Sequence, residues 1–260
     1  MIVDTHCHLN DKRYYEDLPN VLEKAQKEDV KVTIIPGADP RELPLAVELC
    51  EKYKELYFAV GVHPYDIEFY DREFLKKYIE HPKCVAVGEC GLDYYRLPDD
   101  EDEKRENKKR QKEVFIDQIN LAREYKKPLI IHIREASEDS LNILIDNLAK
   151  DVGGVLHCFN ASSSLLPLSD HGFYFGIGGV VTFKNAKKLI EILPLIPKDR
   201  LLVETDGPYL TPHPRRGERN EPSYTALVIT KMAEILDLEE EQLKDILYQN
   251  TKRLFEDLDI

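Results

Sequence analysis

The chain is short of long apolar stretches. None approaches the roughly 20 consecutive apolar residues that a membrane helix requires, so no membrane span is expected. The opening residues, MIVDTHCHL, lack a basic region followed by an extended apolar one, which argues against a secretory signal and for a soluble, cytoplasmic protein. Cysteine is sparse: Cys7, Cys50, Cys84, Cys90 and Cys158 are odd in number, form no CxxC, and lie in or beside apolar runs. That pattern argues against a disulfide framework or a zinc ribbon and predicts reduced, buried thiols. Positive charge is in deficit as well. With 36 Lys and Arg against 49 Asp and Glu, the net charge of −13 disfavours a protein that coats nucleic acid electrostatically, while leaving open phosphate contacts confined to one pocket. No composition break marks a linker, and no Gly-rich turn follows the first apolar run to support a doubly wound nucleotide-binding sheet.

What the chain does have is a repeated unit. Short apolar runs rich in Val and Ile occur at Ile2–Thr5, Val30–Pro36, Tyr57–Val62, Val85–Glu89, Leu129–Ile133, Gly154–Phe159, Phe173–Gly178 and Leu201–Thr205, as buried parallel strands require. Between them, segments such as Leu18–Glu28, Arg41–Lys54, Glu106–Lys126, Ser140–Lys150 and Asn185–Leu193 repeat apolar residues at three- and four-residue spacing. Strand followed by helix, eight times, predicts an α/β fold: a (β/α)8 TIM barrel formed by residues 1–260 as one domain. Two further helical patterns, Tyr224–Leu236 and Glu240–Leu254, follow the last strand, so one extra C-terminal helix is expected to pack outside.

Barrel enzymes build their sites from the C-terminal tips of their strands, and here those tips carry His, Glu and Asp. His6 and His8 are separated by one residue and project to one side of an extended segment. Glu89 ends the run Val85–Glu89 before Cys90-Gly91, which reads as a turn. A carboxylate beside apolar wall residues is costly to ionise unless a cation compensates it. His132 and His157 close consecutive strands, and Asp206 follows the eighth strand just before Gly207-Pro208. Four imidazoles and two carboxylates suit Zn²⁺, Mn²⁺ or a related ion better than an all-oxygen calcium cage. They are too many for one catalytic zinc, whereas two ions sharing a bridging carboxylate use them all.

The motifs DTHCHL, GVHPYD, VGECGLDYYR, IHIREA, HCFNAS, ETDGPYL, RGERNEP and NTKRLF, in this order from end to end, resemble the TatD-type metal-dependent deoxyribonucleases of the amidohydrolase superfamily. The resemblance implies that His6, His8 and Asp206 hold one ion, that His132 and His157 hold a second, and that Glu89 bridges them. It implies two divalent ions per subunit (Mg, Mn or Zn), DNA as the substrate, and 3′ to 5′ exonuclease activity on single-stranded or frayed ends. Asp206 and Glu89 are then the catalytic carboxylates, with Asp206 as general base for a hydroxide activated by the two ions. Ala161 and Tyr65 depart from the family pattern, which bears on the substrate pocket and not on the metal ligands.

Other residues at the strand tips are candidates for substrate contact. His63 precedes Pro64 at the end of a strand, and Arg134 shares a face with His132, so that it either reaches a phosphate or pairs with Glu135 or another acid at the barrel mouth. Arg216 and Arg219, in the loop beyond the eighth strand, are further phosphate contacts, with Asn220 and Glu221 fixing that loop. Glu204 lies one step deeper than Asp206 and should hydrogen-bond a ligand and not the metal itself. The basic run Lys104–Lys112 reads as a solvated helix face. No obligate protein partner is evident. Because a fold does not determine its substrate, esterase, lactonase or aminoacyl-ester deacylase chemistry stays open as the alternative.

Overall fold

The computed structural model describes residues 1–260. In chain order the elements are β1 (Ile2–Asp4), α1 (Leu18–Lys27), β2 (Val30–Ile35), α2 (Leu43–Lys52), β3 (Leu56–Val60), α3 (Arg72–Ile79), β4 (Cys84–Asp93), α4 (Glu101–Tyr125), β5 (Leu129–Arg134), α5 (Ser137–Asp146), β6 (Gly154–Leu156), β7 (Phe173–Ile177), α6 (Lys187–Ile192), β8 (Leu201–Val203), α7 (Thr225–Leu236) and α8 (Glu240–Leu254). The eight strands form one sheet in sequence order, every neighbouring pair parallel.

The barrel closes just beyond the named strands. Thr5 N–H donates to the Val203 carbonyl (3.2 Å), Asp206 N–H to that of His6 (2.8 Å) and His8 N–H to that of Gly207 (2.7 Å). The seam is reinforced by Asp4, fully buried, whose carboxylate accepts from Thr205 Oγ1 (2.6 Å) and Thr205 N–H (2.9 Å). Burial pushes the Asp4 carboxyl up to about 8, against the hydrogen bonds that favour its charged form. These bonds bring the β1 and β8 tips, and with them His6 and Asp206, to adjacent positions.

Apolar side chains divide into two layers. A smaller inner cluster joins Val3, Ile34, Tyr57, Val85, Ile130, Val155, Tyr174 and Leu202, one from each strand, with Leu254, Phe255 and Leu258. The end of α8 and the residues after it therefore cover the barrel at the N-terminal ends of its strands, opposite the site. Each Val, Ile, Leu or Phe side chain among them contributes about 1.5–3 kcal/mol by burial. The larger cluster lies between the strands and the surrounding helices.

Two features of the fold correct the sequence expectations. Strand and α-helix do not alternate eight times: β6 and β7 are joined by a 3-10 segment, Ser163–His171, with Pro167 inside it. Proline removes a helical hydrogen bond and clashes with the preceding turn, so a continuous α-helix is disfavoured there. Nor does the chain turn at Cys90-Gly91, since β4 runs on to Asp93. Its register against β5 slips between Gly88 and Cys90, leaving Glu89 as an unpaired bulge residue. Gly88 (φ 147°) and Gly91 (φ 143°) permit this because a Cβ would fall 2.2 Å from the Ile130 carbonyl oxygen and 2.0 Å from that of His132.

Candidate active site

The six strand-tip residues converge. Glu89, nearly fully buried, presents its two carboxylate oxygens to two different sets of imidazoles. Oε2 lies 3.2 Å from His6 Nε2 and 3.7 Å from His8 Nε2, whereas Oε1 lies 2.9 Å from His132 Nδ1 and 3.3 Å from His157 Nε2. Asp206 Oδ1 stands 3.8 Å from His6 Nε2 and 3.6 Å from His8 Nε2. The nitrogens of His6 and His8 are 3.2 Å apart, and the rings of His6 and His157 stack at 3.7 Å. Such crowding of nitrogen lone pairs and carboxylate oxygens is a donor set for cations.

The histidines are oriented from behind by carboxylates. Glu204 Oε1 lies 3.2 Å from His157 Nδ1, and Asp93 Oδ2 lies 2.9 Å from His132 Nε2. Each pairing turns the other ring nitrogen inward, as carboxylate–histidine pairs do at metal sites, so the residues present fit divalent metal. His6, His8 and Asp206 form one group of ligand atoms within 4.8 Å of one another, and His6, Glu89 and His157 another. His63, Asp93 and His132 make a third.

Electrostatics follow from this packing. Burial would raise the Glu89 carboxyl, but His157, His63 and His6 outweigh it and hold it well below the ordinary carboxylate range. Asp206 behaves alike: burial is overcome by His8, His157 and His6, so it is ionised at neutral pH. His6 is lowered by burial and by His157, while at His8 the carboxylates of Asp206 and Glu89 overcome burial and raise it. His63 falls to about 3, again mainly by burial. Three strand tips leave the barrel through a non-glycine residue in left-handed backbone: Glu135 (φ 54°), Cys158 (φ 44°) and Asp206 (φ 57°). Local strain of this kind concentrates where the surrounding structure positions functional groups.

Asp93 is the residue that sequence reasoning missed. The turn read at Cys90-Gly91 hid it, although its place four residues beyond Glu89 in the same run was a usable signal. It is positioned by α4. Gln111 Oε1 accepts from Asp93 N–H (2.9 Å) and Nε2 donates to the Asp93 carbonyl (2.9 Å). Two helical turns on, Gln118 makes the same pair of bonds with Val62 (2.8 and 3.0 Å), next to His63. One buried helix face thus sets the tips of two strands.

The substrate candidates fare differently. His63 faces the centre, with Nε2 3.5 Å from Glu89 Oε1, and its Nδ1 accepts from Tyr65 N–H. Arg134 does not pair with Glu135; its guanidinium lies over the Tyr95 ring at 3.6 Å. Arg216 lies over Phe183 and donates to the Thr211 carbonyl (2.8 Å). Arg219 is corrected to a loop anchor: it grips Asp17 bidentately (2.7 and 2.8 Å), Glu221 (2.8 Å) and the Arg13 carbonyl, and its remaining Nε is buried. Its Nη hydrogens are engaged within the protein and its Nε, though unpartnered, is buried away from the mouth. Asn220 holds the same loop through the carbonyls of Thr205 and Tyr209. Along Lys104–Lys112, Lys104, Arg105, Lys109, Arg110 and Lys112 each meet a carboxylate of α4 or Asp139, as a solvated face does.

A parallel barrel with this constellation at the C-terminal ends of its strands defines the metal-dependent hydrolases. The chain belongs to the TatD family within that class: residues 3–256 match the family described as TatD related DNase. It is 44% identical to the uncharacterized metal-dependent hydrolase YabD of Bacillus subtilis over 98% of this chain and 99% of that one. Identity to the uncharacterized metal-dependent hydrolase YcfH of Escherichia coli K12 is 40%, over 98% and 95% of the two chains. Among solved structures, the TatD homolog YJJV of Escherichia coli K12 superposes with a TM-score of 0.89 at 29% identity, covering 98% of each chain. No helix is long and apolar enough to cross a membrane.

Proposed function

We propose that the protein is a 3′ to 5′ exodeoxyribonuclease that removes nucleotides from single-stranded or frayed DNA ends. The observation that carries the reading is the division of Glu89, one oxygen toward His6 and His8 and the other toward His132 and His157. A carboxylate so placed suits two divalent ions, Mg, Mn or Zn, with His6, His8 and Asp206 holding one, His132 and His157 the other, and Glu89 between them. When bound, such a pair supplies Lewis acidity, easing deprotonation of water and drawing charge from phosphoryl oxygens. The family description supports DNA as the substrate, and the polarity follows from the resemblance of the motifs.

The protein's own groups do the rest. Asp206, ionised and aimed into the site, accepts the proton of the attacking water. Asp93 and Glu204 keep His132 and His157 in one ring orientation. His63 closes the wall beside Glu89, and Arg134 and Arg216 face the mouth as phosphate contacts. Free thiols throughout, four of them buried, favour a reducing, cytoplasmic setting. The group between the two sets of histidines at the β4 tip is the carboxylate of Glu89, where a lactonase-type relative would carry a carbamylated lysine, which weighs against the lactonase reading.

The test is incubation with DNA labelled at the 5′ end, with each divalent metal and with chelator, comparing linear single strands, linear duplexes and closed circles. Stepwise shortening from the 3′ end, fastest on single strands and stopped by chelator, is expected. Inert DNA alongside turnover of aminoacyl esters or small lactones would replace the reading with its alternative.

A further inference from the structure

At the His63–His132 flank of the site stand two exposed tyrosines, each beneath a guanidinium. Arg134 lies over Tyr95 at 3.6 Å, and Arg96 over Tyr65 at 5.5 Å. Tyr95 is 53% exposed and Tyr65 40%. Both are tied to the centre. Tyr95 N–H donates to Asp93 Oδ1 (2.9 Å), Tyr65 N–H donates to His63 Nδ1 (3.1 Å), and the Tyr65 ring meets His63 edge-on at 4.8 Å. In a chain with 49 acidic residues, neither Arg96 nor Arg134 has a carboxylate oxygen within 4.0 Å.

Two other Arg–aromatic pairs nearby differ in that respect. Arg13 lies over Tyr209 at 4.4 Å but grips both oxygens of Asp11 (2.8 and 2.7 Å), and Arg41 lies over Phe69 at 3.8 Å but is held by Asp39 (2.6 Å). Their charge is spent within the protein. Arg216, over Phe183, also meets no carboxylate, but it donates to the Thr211 carbonyl (2.8 Å) and its aromatic partner is half-buried; the Tyr95–Arg134 and Tyr65–Arg96 pairs join an exposed ring to an uncompensated guanidinium beside the convergent ligands.

We propose that Tyr95 and Tyr65, with Arg134 and Arg96, form a stacking subsite for an unpaired nucleobase and its adjoining phosphate. This rests on the nucleic-acid reading above. Every base has a π-face, so a tyrosine platform holds single strands without reading sequence. A planar guanidinium beside it offers paired donors to phosphate oxygens. A base in a duplex must be unstacked before it can use such a platform, which gives the site a structural preference for free or frayed strands.

The test measures binding by fluorescence anisotropy on a fluorescein-labelled, phosphorothioate-linked tetranucleotide, with Mg²⁺ and with chelator. The same oligonucleotide carries a base-free sugar at one position at a time. Removing the base at one position is expected to weaken binding by about 5- to 150-fold, the range of base–aromatic stacking. Tyr95→Ala should lose a similar factor and become indifferent to the base-free sugar, Tyr95→Phe should restore both, and Arg134→Gln should flatten the salt dependence by about one phosphate. Wild-type protein that cleaves DNA yet ignores base removal at every position would overturn the subsite and leave the nuclease reading standing. Base-dependent binding without cleavage of ordinary DNA would do the reverse, and absence of binding would overturn both. A Tyr95→Phe variant as weak as Tyr95→Ala would also refute stacking.

Discussion

Replacing Glu204 with Gln should separate metal binding from folding. Glu204 is fully buried; its Oε1 accepts from Cys158 N–H (2.5 Å) and lies 3.2 Å from His157 Nδ1, whereas its Oε2 has no partner. A Cβ on Gly176 would come within 2.3 Å of that Oε2, so the neighbouring strand, β7, leaves room for the carboxylate. An unsatisfied buried polar group costs the fold about 1–3 kcal/mol. What it maintains is the orientation of His157, whose Nδ1 it engages so that Nε2 faces the site; with no ion bound, Glu89 and Glu204 outweigh burial and raise the His157 pKa. Gln retains an acceptor for both donors and loses the charge. Metal affinity should therefore fall about 10- to 100-fold, the usual effect of removing a carboxylate behind a ligand histidine, or about 1.4–2.7 kcal/mol. The metal-free protein should lose no more than about 1 kcal/mol, because a costly buried charge goes with it. Calorimetric titration with Mn²⁺ and Zn²⁺, paired with thermal melts in chelator and in saturating metal, reads both quantities. Unchanged affinity together with a chelated protein several kcal/mol less stable would refute the reasoning and make Glu204 a packing residue.

Glu89→Gln is expected to abolish most activity and lower metal occupancy, since a neutral amide cannot balance the charge of bound metal; metal analysis of the purified variant decides it, full occupancy with full activity being the contrary result. Asp206→Asn should depress kcat by at least about 10²-fold with far less effect on substrate affinity, and a variant altered only in KM would count against its role as base. Asp66 carries a pH signature away from the ligands: burial pushes its carboxyl up to about 6, with Asp39 adding to the effect over the pull of Arg41. The folded state then binds its proton more tightly than the unfolded chain, so this contribution to stability is present below the unfolded pKa and is lost as pH rises through about 6. Relative to wild type, Asp66→Asn should gain stability between pH 4 and pH 7 in urea melts, and parallel curves would exclude the effect.

Much of this architecture was legible in the sequence because it is written locally. A buried parallel strand must be short and apolar, a helix that covers it must repeat apolar residues every three to four positions, and polar side chains at strand ends have few places to go but the barrel mouth. Those rules alone gathered His6, His8, Glu89, His132, His157 and Asp206. They could not foresee the glycine-flanked bulge at Glu89, since whether β4 turns or continues depends on its register against β5. Asp93 was lost with that turn, and the pairing of Gln111 and Gln118 with two strand tips joins residues 18 and 56 positions apart, for which no pattern in one segment gives notice. Arg219 read as a free cation until its loop met α1 and Asp17, 202 residues away. What sequence determines is which side chains are buried and at what period; which charges neutralise one another, and which guanidiniums remain free at the mouth, depends on contacts between distant segments and was decided only when the barrel closed.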